Sequence, residues 1–135
     1  MNESTPTEEQ TVSFESITPT FYVDDILKTT NYYKEVLGFE IDMIDGDPPT
    51  FSSVDRDGIS INFLLEENNS PTNTDRFYLF IMVNNIEELI KELQSRGATI
   101  IEIRKEEVDK SICLMEVEVE DCNNYRIHFG EYKKP

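Results

Sequence analysis

The chain has few basic residues, few cysteines and a single histidine, and each shortage excludes a class of protein. Lys and Arg account for 12 of the 135 residues against 28 Asp and Glu, which gives a formal net charge of −16. A field this negative repels phosphate backbones and anionic lipids, so we expect neither nucleic-acid nor membrane partners. No apolar run reaches the roughly 18 residues of a membrane helix. Residues 1–10 are too polar for a signal peptide, so we expect a cytoplasmic protein.

The scarcity of cysteine, histidine and glycine also limits the chemistry. Cys113 and Cys122 form neither a Cys-x-x-Cys motif nor a disulfide framework, and we expect two reduced thiols. Their spacing also permits a bridge between neighbouring strands. Two cysteines and one histidine at these spacings cannot form a zinc site. The five glycines are scattered at turns, which excludes a glycine-rich phosphate loop.

The main feature that the sequence does contain is an internal repeat. The stretches 21–26 (Phe-Tyr-Val-Asp-Asp-Ile) and 81–86 (Ile-Met-Val-Asn-Asn-Ile) each precede a helical pattern that ends at a glycine, Gly38 or Gly97. A glycine at this point is typical of a helix C-terminus that needs a left-handed residue. The apolar stripes of the two helices are Ile26, Thr30, Tyr33 and Leu37, and Ile86, Leu89, Ile90 and Leu93.

Helix caps and hairpin turns extend the repeat. Asp25 and Asn85 are suited to cap the two helices, and Glu88 completes a capping box with Asn85. Asp57-Gly58 and Asn123-Asn124 are turn residues before the strands 59–63 and 125–129. Each half therefore predicts a βαβββ module in an α+β fold. The further predicted strands are 39–45, 50–55, 98–105 and 112–120.

The sequence also predicts how the chain is divided. A disordered acidic tail over 1–13 precedes one domain over 14–135. The domain consists of two modules, at about 14–67 and 76–132, joined by a linker over 66–75.

These residues resemble the vicinal oxygen chelate superfamily, which includes glyoxalase I, bleomycin-resistance proteins, fosfomycin-resistance enzymes and extradiol dioxygenases. The similarity covers about residues 16–132. It implies eight strands in a cupped mixed sheet, a helix packed outside each half, and a homodimer. The motifs that carry it are Val23-x-Asp25-Ile26, Tyr32-Tyr33, Leu37-Gly38-Phe39, Asp57-Gly58, the unit from Val83 to Gly97, and Asp121-x-x-x-Tyr125-x-Ile127.

The resemblance also points to four positions where metal-using members of the superfamily hold their ligands. They lie on the first and last strands of each module and are here Thr18, Asn62, Tyr78 and His128. Thr, Asn and Tyr are poor ligands for a divalent metal that relatives hold with His and Glu. We therefore expect no metal and no other cofactor. The chain is most similar to the bleomycin-resistance-like group, which lacks the metal.

The strand at 115–120 alternates acidic and apolar residues, so Glu116, Glu118 and Glu120 share one face. That face is either solvated or, as the equivalent positions of fosfomycin-resistance members imply, part of a ligand cup. In the cup, such close carboxylates would favour a cationic or polyamine-like ligand stacked on aromatic walls. The residues expected to bind the ligand are Thr18, Thr20, Tyr22, Asn62, Tyr78, Phe80, Glu116, Glu118 and His128.

Two functions follow from the resemblance. The leading hypothesis is a metal-free protein that binds and sequesters a small, cationic organic molecule. The alternative is a lyase or isomerase of the glyoxalase type, with His128 or a cavity Glu as general base. A lone histidine on a strand also fits a hydrogen-bonded pocket wall. A third hypothesis is a domain that binds a protein partner and no ligand.

Overall fold

The structure, a computed structural model, describes residues 11–66 and 77–135 and consists of two βαβββ modules. The first contains β1 (Thr20–Val23), α1 (Ile26–Glu35), β2 (Glu40–Gly46), β3 (Pro49–Arg56) and β4 (Ile59–Leu65). The second contains β5 (Tyr78–Met82), α2 (Ile86–Ser95), β6 (Thr99–Asp109), β7 (Ile112–Glu120) and β8 (Arg126–Lys133). Of the predicted tail and linker, residues 1–10 and 67–75 lie outside the described residues.

Each module forms its own mixed four-stranded sheet. The strand orders are β1-β4-β3-β2 and β5-β8-β7-β6, with the first pair of each order parallel and the others antiparallel. The α+β fold class and its eight strands are therefore confirmed, and hydrogen bonding divides the strands into two sheets. The hairpin turns also agree with the prediction, since Asp57, Gly58 and Asn124 have positive φ. The long β6 continues to Asp109, beyond the predicted end at 105.

The two helices begin in different ways. The predicted cap at Asp25 is confirmed, because its side chain accepts a hydrogen bond of 3.0 Å from the Lys28 N–H. The predicted capping box at Asn85 is wrong. Asn85 has a φ of 65°, outside the extended region of a normal cap, and its side chain makes no cap hydrogen bond. The Glu131 carboxylate on β8 instead accepts from the N–H groups of Asn85 and Ile86, at 3.2 and 3.0 Å.

A buried hydrogen bond joins the first helix to the second module. The Tyr33 hydroxyl, which is 0% exposed, donates to Asp121 Oδ2 over 2.6 Å. The other oxygen of Asp121 accepts from the N–H groups of Asn123 and Tyr125, at 2.8 and 2.9 Å. Burial raises the pKa of Asp121 above its usual value, although all three hydrogen bonds favour the carboxylate. Asp121 thus shapes the β7–β8 turn and connects the modules.

An ion pair joins the second helix to the first module. The Arg56 guanidinium at the end of β3 binds the Glu92 carboxylate on α2 through two contacts of 2.9 and 3.0 Å. It also donates to the Leu37 carbonyl over 2.9 Å. The pair lies against Gly38, where a Cβ would come within 2.5 Å of Arg56 Nη1. The glycine predicted to end the first helix is therefore needed for its φ of 76° and for this close approach.

Two smaller predictions concern the thiols and the membrane. Cys113 and Cys122 are both free. Within residues 11–66 and 77–135, neither helix is long and apolar enough to cross a membrane.

Candidate ligand-binding site

The acidic face of β7 is formed by the strand alternation that the sequence contains. Val117 and Val119 are 0% exposed and pack in the core. Glu116, Glu118 and Glu120 therefore project from the opposite face of the second sheet. The side chains of Glu116 and Glu118 are only 12% and 13% exposed, because neighbouring strands cover them. The acidic face of β7 is therefore largely covered, and its partly buried carboxylates need positively charged or hydrogen-bonding partners.

Two arginines supply those partners. Arg126 on β8 binds Glu118 Oε2 at 2.5 Å and Glu120 Oε2 at 3.2 Å. Arg104 on β6 lies 3.2 Å from Glu118 Oε1 and 3.3 Å from Glu116 Oε1. Arg104 also contacts the exposed Glu102 at 3.0 Å. The protein itself thus provides two of the positive charges that the sequence interpretation assigned to a ligand.

The arginines control the ionisation of Glu118. Partial burial raises its pKa, but the hydrogen bonds from Arg126 and Arg104 outweigh burial, and the pKa lies below its usual value. Glu118 is therefore ionised at neutral pH and holds both guanidinium groups in place. The same contacts raise the pKa of Arg104 and of Arg126 despite desolvation, which keeps both side chains charged.

His128 occupies the centre of this charged network. Its Nδ1 lies 2.5 Å from Glu116 Oε2, and in the tautomer that carries its hydrogen on Nδ1 the ring donates to this carboxylate. Arg104 Nη2 lies 3.3 Å from the same nitrogen, and Arg104 also contacts Glu116 at 3.3 Å, so the three side chains form one cluster. The Nε2 atom lies 3.8 Å from Glu118 Oε1, beyond hydrogen-bond distance.

An aromatic ring covers the histidine. The Tyr78 ring stacks on the His128 ring with a centroid distance of 4.0 Å and an interplanar angle of 23°. Tyr78 is nevertheless 54% exposed, so about half of the residue is accessible to a ligand. The two residues border a cavity of about 340 Å³. The cavity is lined by Phe77, Tyr78, Glu118, Glu120, Asn124, Arg126 and His128.

The predicted site residues are divided between the two sheets. Tyr78, Glu118 and His128 line the cavity together, and Glu116 joins them through its contact with His128. Phe80 is the register partner of His128, and its ring lies against Gly130, where a Cβ would come within 2.7 Å.

The remaining predicted residues lie in or beside the first sheet. Thr20 and Tyr22 are on β1, and Asn62 is the register partner of Thr20 on β4. Thr18 is exposed and precedes β1. These four are not among the residues that line the cavity of the second sheet.

The residues at the four metal positions of the superfamily do not fit a metal. Thr18 precedes β1 and Asn62 lies on β4 of the first sheet, while Tyr78 and His128 lie on β5 and β8 of the second. In the described parts of the chain, no group of three or more His, Cys, Asp or Glu residues could hold a metal ion. The Arg104 guanidinium also lies 3.3 Å from His128 Nδ1, where its positive charge would repel a metal cation.

The fold and this site define a class: an α+β protein of paired βαβββ modules with a polar, aromatic-walled cavity on one sheet. Residues 14–129 match the Glyoxalase/Bleomycin resistance protein/Dioxygenase superfamily. The chain therefore belongs to this family, as its resemblance implies. No curated protein sequence matches it significantly.

Solved structures show the same fold. A glyoxalase/bleomycin resistance protein/dioxygenase from Alicyclobacillus acidocaldarius matches with a TM-score of 0.73 and 14% identity, covering 87% of this chain and 91% of that one. A bleomycin-binding protein from Streptomyces verticillus, solved with copper(II)-bleomycin, matches with a TM-score of 0.66 and 21% identity. It covers 88% of this chain and 97% of that one. At these identities the likeness concerns the fold alone.

Arg104 and Arg126 are the site residues that the sequence interpretation missed. Arg126 could have been found, because it lies two residues before His128 on one strand and so shares its face. Arg104 could not. Its position opposite Glu116 depends on the register of β6 with β7, which shifts between Ile100 and Glu102.

Proposed function

We propose that this protein binds a small aromatic cation in the cavity beside Tyr78 and His128, without a divalent metal. The observation that carries the proposal is the half-exposed Tyr78 ring, stacked on His128 next to partly buried carboxylates. An aromatic ring presents a negative face to a cation or a stacking surface to a planar ligand. The cavity volume of about 340 Å³ is within the range of small-molecule sites, about 300–1,000 Å³.

The charge balance favours one positive charge on the ligand. Glu116, Glu118 and Glu120 face Arg104 and Arg126, which leaves one carboxylate in excess when His128 is neutral. The exposed Glu102 adds little, since solvent and salt screen it. A polyamine-like ligand, which bare carboxylates would favour, therefore suits the site less well than a monocation.

Isothermal titration calorimetry with matched probes tests this proposal. We expect N-methylquinolinium to bind more tightly than neutral quinoline, and naphthalene-2-sulfonate not to bind. Tyr78→Ala should weaken binding at least tenfold. Tyr132→Ala is the control, because Tyr132 is similarly exposed, at 49%, but does not line the cavity. Equal binding of the three probes, or equal losses in the two variants, would contradict the proposal.

A thermal-shift screen tests the absence of a metal requirement. We expect divalent metal ions to leave the melting temperature unchanged, because the residues at the family's metal positions are poor ligands. The aromatic cation should raise it by mass action. Stabilisation by a divalent metal but not by organic cations would overturn the proposal. Bleomycin is a useful further probe, since a protein of the same fold was solved with its copper complex.

The Glu116–His128 contact favours an enzyme as the second candidate. A carboxylate that fixes the hydrogen on Nδ1 leaves Nε2 free to act as a general base toward a bound substrate. Glyoxalase-type isomerisation of a 2-oxoaldehyde–thiol adduct is the reaction to assay. His128→Ala should abolish turnover, and Glu116→Gln should reduce it. Unchanged activity in His128→Ala would exclude this histidine as the base.

We also propose that the protein is a cytoplasmic homodimer that binds neither nucleic acid nor membranes. A second copy would cover exposed apolar residues on the two sheet faces, such as Tyr22, Met43 and Met82, which are 48%, 51% and 53% exposed. It could also bring Thr20 and Asn62 of one copy toward the cavity of the other. Sedimentation equilibrium should give twice the 15.7 kDa chain mass; a monomer at micromolar concentration would contradict this.

A further inference from the structure

The two modules meet at two equivalent junctions. Thr20 is the register partner of Asn62, and Phe80 is the register partner of His128, so β1 corresponds to β5. Phe21 therefore corresponds to Ile81. In the same way Ile59 corresponds to Tyr125, because each pairs with the residue on the other side of its hairpin turn. Side chains at one junction can thus be compared with their counterparts at the other.

Aromatic rings fill the junction between α1 and the β7–β8 turn. Tyr125 stacks on Phe21 with a centroid distance of 4.0 Å, and its hydroxyl donates to the Tyr22 carbonyl over 2.9 Å. Phe77, just before β5, packs its edge on Phe21 at 6.0 Å. Both Phe21 and Tyr125 are buried as a result.

The junction between α2 and the β3–β4 turn is hollow. Its counterparts of Phe21 and Tyr125 are the smaller Ile81 and Ile59, and Ile59 is 43% exposed. A cavity of about 520 Å³ lies there, separate from the cavity beside Tyr78. Its apolar lining includes Leu37, Phe39, Ile59, Ile81 and Leu89, and the Arg56–Glu92 pair forms part of its wall.

The counterpart of Phe77 is missing from this cavity. By the same correspondence Phe77 answers to Ile17, which is 91% exposed on the segment before β1. β5 begins at Tyr78, whereas β1 begins at Thr20. Proline explains the difference, because Pro19 lacks the N–H that its counterpart Leu79 brings to the ladder. The segment is nevertheless tethered to β4, since the Asn62 N–H donates to the Pro19 carbonyl over 2.9 Å.

We propose that residues 12–18, the N-terminal arm, close over this cavity and insert Ile17 against Ile81 and Ile59. The extended chain from Pro19 to Ile17 spans about 7 Å, so the arm reaches the cavity by continuing β1 along β4. Docking would bury the exposed Ile17 side chain, and one lost ladder bond at Pro19 does not prevent it. By analogy with the contact of Phe77 with Phe21, the arm docks on its own chain.

Disulfide trapping tests the position of the arm. In a Cys122→Ser background, Ile17→Cys combined with Ile81→Cys should form an intramolecular disulfide under mild oxidation. The control is Ile17→Cys with Met43→Cys, because Met43 is 51% exposed on β2, at the far edge of the first sheet. We expect at least tenfold more intramolecular product from the first pair. Covalent dimers from that pair would assign the arm to a second copy, and yields equal to the control would refute docking.

A second measurement compares melting temperatures and leaves both native cysteines in place. If Ile17 docks, Ile17→Asp should lower the melting temperature by about 4 °C. Val12→Asp is the matched control, because Val12 is 83% exposed on the same arm but is not the counterpart of Phe77. We expect the control to leave the melting temperature unchanged. Equal melting temperatures for the two variants would overturn the proposal without bearing on the ligand site.

Discussion

Replacing Tyr33 by Phe removes one buried oxygen and tests how the modules are held together. The Tyr33 hydroxyl donates to Asp121 over 2.6 Å in a region with no solvent exposure at Tyr33. Hydrogen bonds to charged groups contribute about 1.5–3 kcal/mol, and an Asp121 oxygen left without this donor cannot turn to bulk water. We therefore expect Tyr33→Phe to lower the free energy of unfolding by about 2 kcal/mol at pH 7.

Equilibrium unfolding in urea measures this change. The control is Tyr32→Phe, because the Tyr32 hydroxyl makes a longer bond of 3.3 Å to the Glu120 carbonyl at a partly buried site. We expect the control to cost less than about 1 kcal/mol, with the same dependence on urea. Equal costs for the two variants would refute the reasoning.

The pH dependence of Tyr33→Phe follows from Asp121. Burial raises the pKa of Asp121 in the folded protein, so the folded state binds this proton more readily than the unfolded chain does. The stability that Asp121 contributes is therefore present at low pH and is lost as pH rises through its folded pKa. Without the Tyr33 donor that pKa rises further, so the cost of the variant should shrink between pH 7 and pH 4. A cost independent of pH would contradict this assignment.

Three further predictions concern stability and are measured by urea unfolding. Glu118→Gln should cost about 1–2 kcal/mol at pH 7, because it weakens the hold on both arginines. Since the pKa of Glu118 is lowered, this difference should vanish as pH falls below the usual 4.5 and the wild-type carboxylate is protonated. Gly38→Ala should cost more than Gly58→Ala, because both have positive φ but only Gly38 contacts Arg56. Arg56→Ala should cost about 1 kcal/mol, since the Glu92 side chain is only 30% exposed and solvent screens the pair in part.

Each of these has an outcome that would contradict it. A constant cost of Glu118→Gln from pH 7 to pH 3 would exclude a lowered pKa as the cause. Equal costs at the two glycines would mean that Arg56 moves aside freely. A neutral Arg56→Ala would show that the ion pair between the modules contributes nothing, as many exposed pairs do.

Local chemistry made much of the fold predictable. The Asp57-Gly58 and Asn123-Asn124 turns depend on residues that tolerate positive φ, and the cap at Asp25 needs only its neighbour Lys28. The predicted capping box at Asn85 was wrong, because the carboxylate that accepts from the first N–H groups of α2 belongs to Glu131 on a distant strand. Helix caps and turns can be predicted from the sequence when all the residues involved lie within a few positions of one another.

The candidate site was less predictable because it depends on contacts between strands. Strand alternation correctly predicted which faces of their strands Glu116, Glu118 and His128 occupy. It did not predict that Arg104 and Arg126 neutralise the carboxylates. The register shift in β6 decides which side chain faces Glu116, and no local pattern encodes that shift. The division of the predicted residues between two sheets likewise depends on which strands pair.

The most direct test of the central claim is a titration with N-methylquinolinium followed by amide chemical shifts. Binding beside Tyr78 predicts saturable shifts that cluster at Tyr78, Glu118, Arg126 and His128, and that need at least tenfold more probe in Tyr78→Ala. The residues of the second, hollow cavity, such as Ile59 and Leu89, should stay unperturbed. Shifts that cluster at Ile59 and Leu89, or no saturable shifts at millimolar probe, would contradict a ligand site on the acidic face of the second sheet.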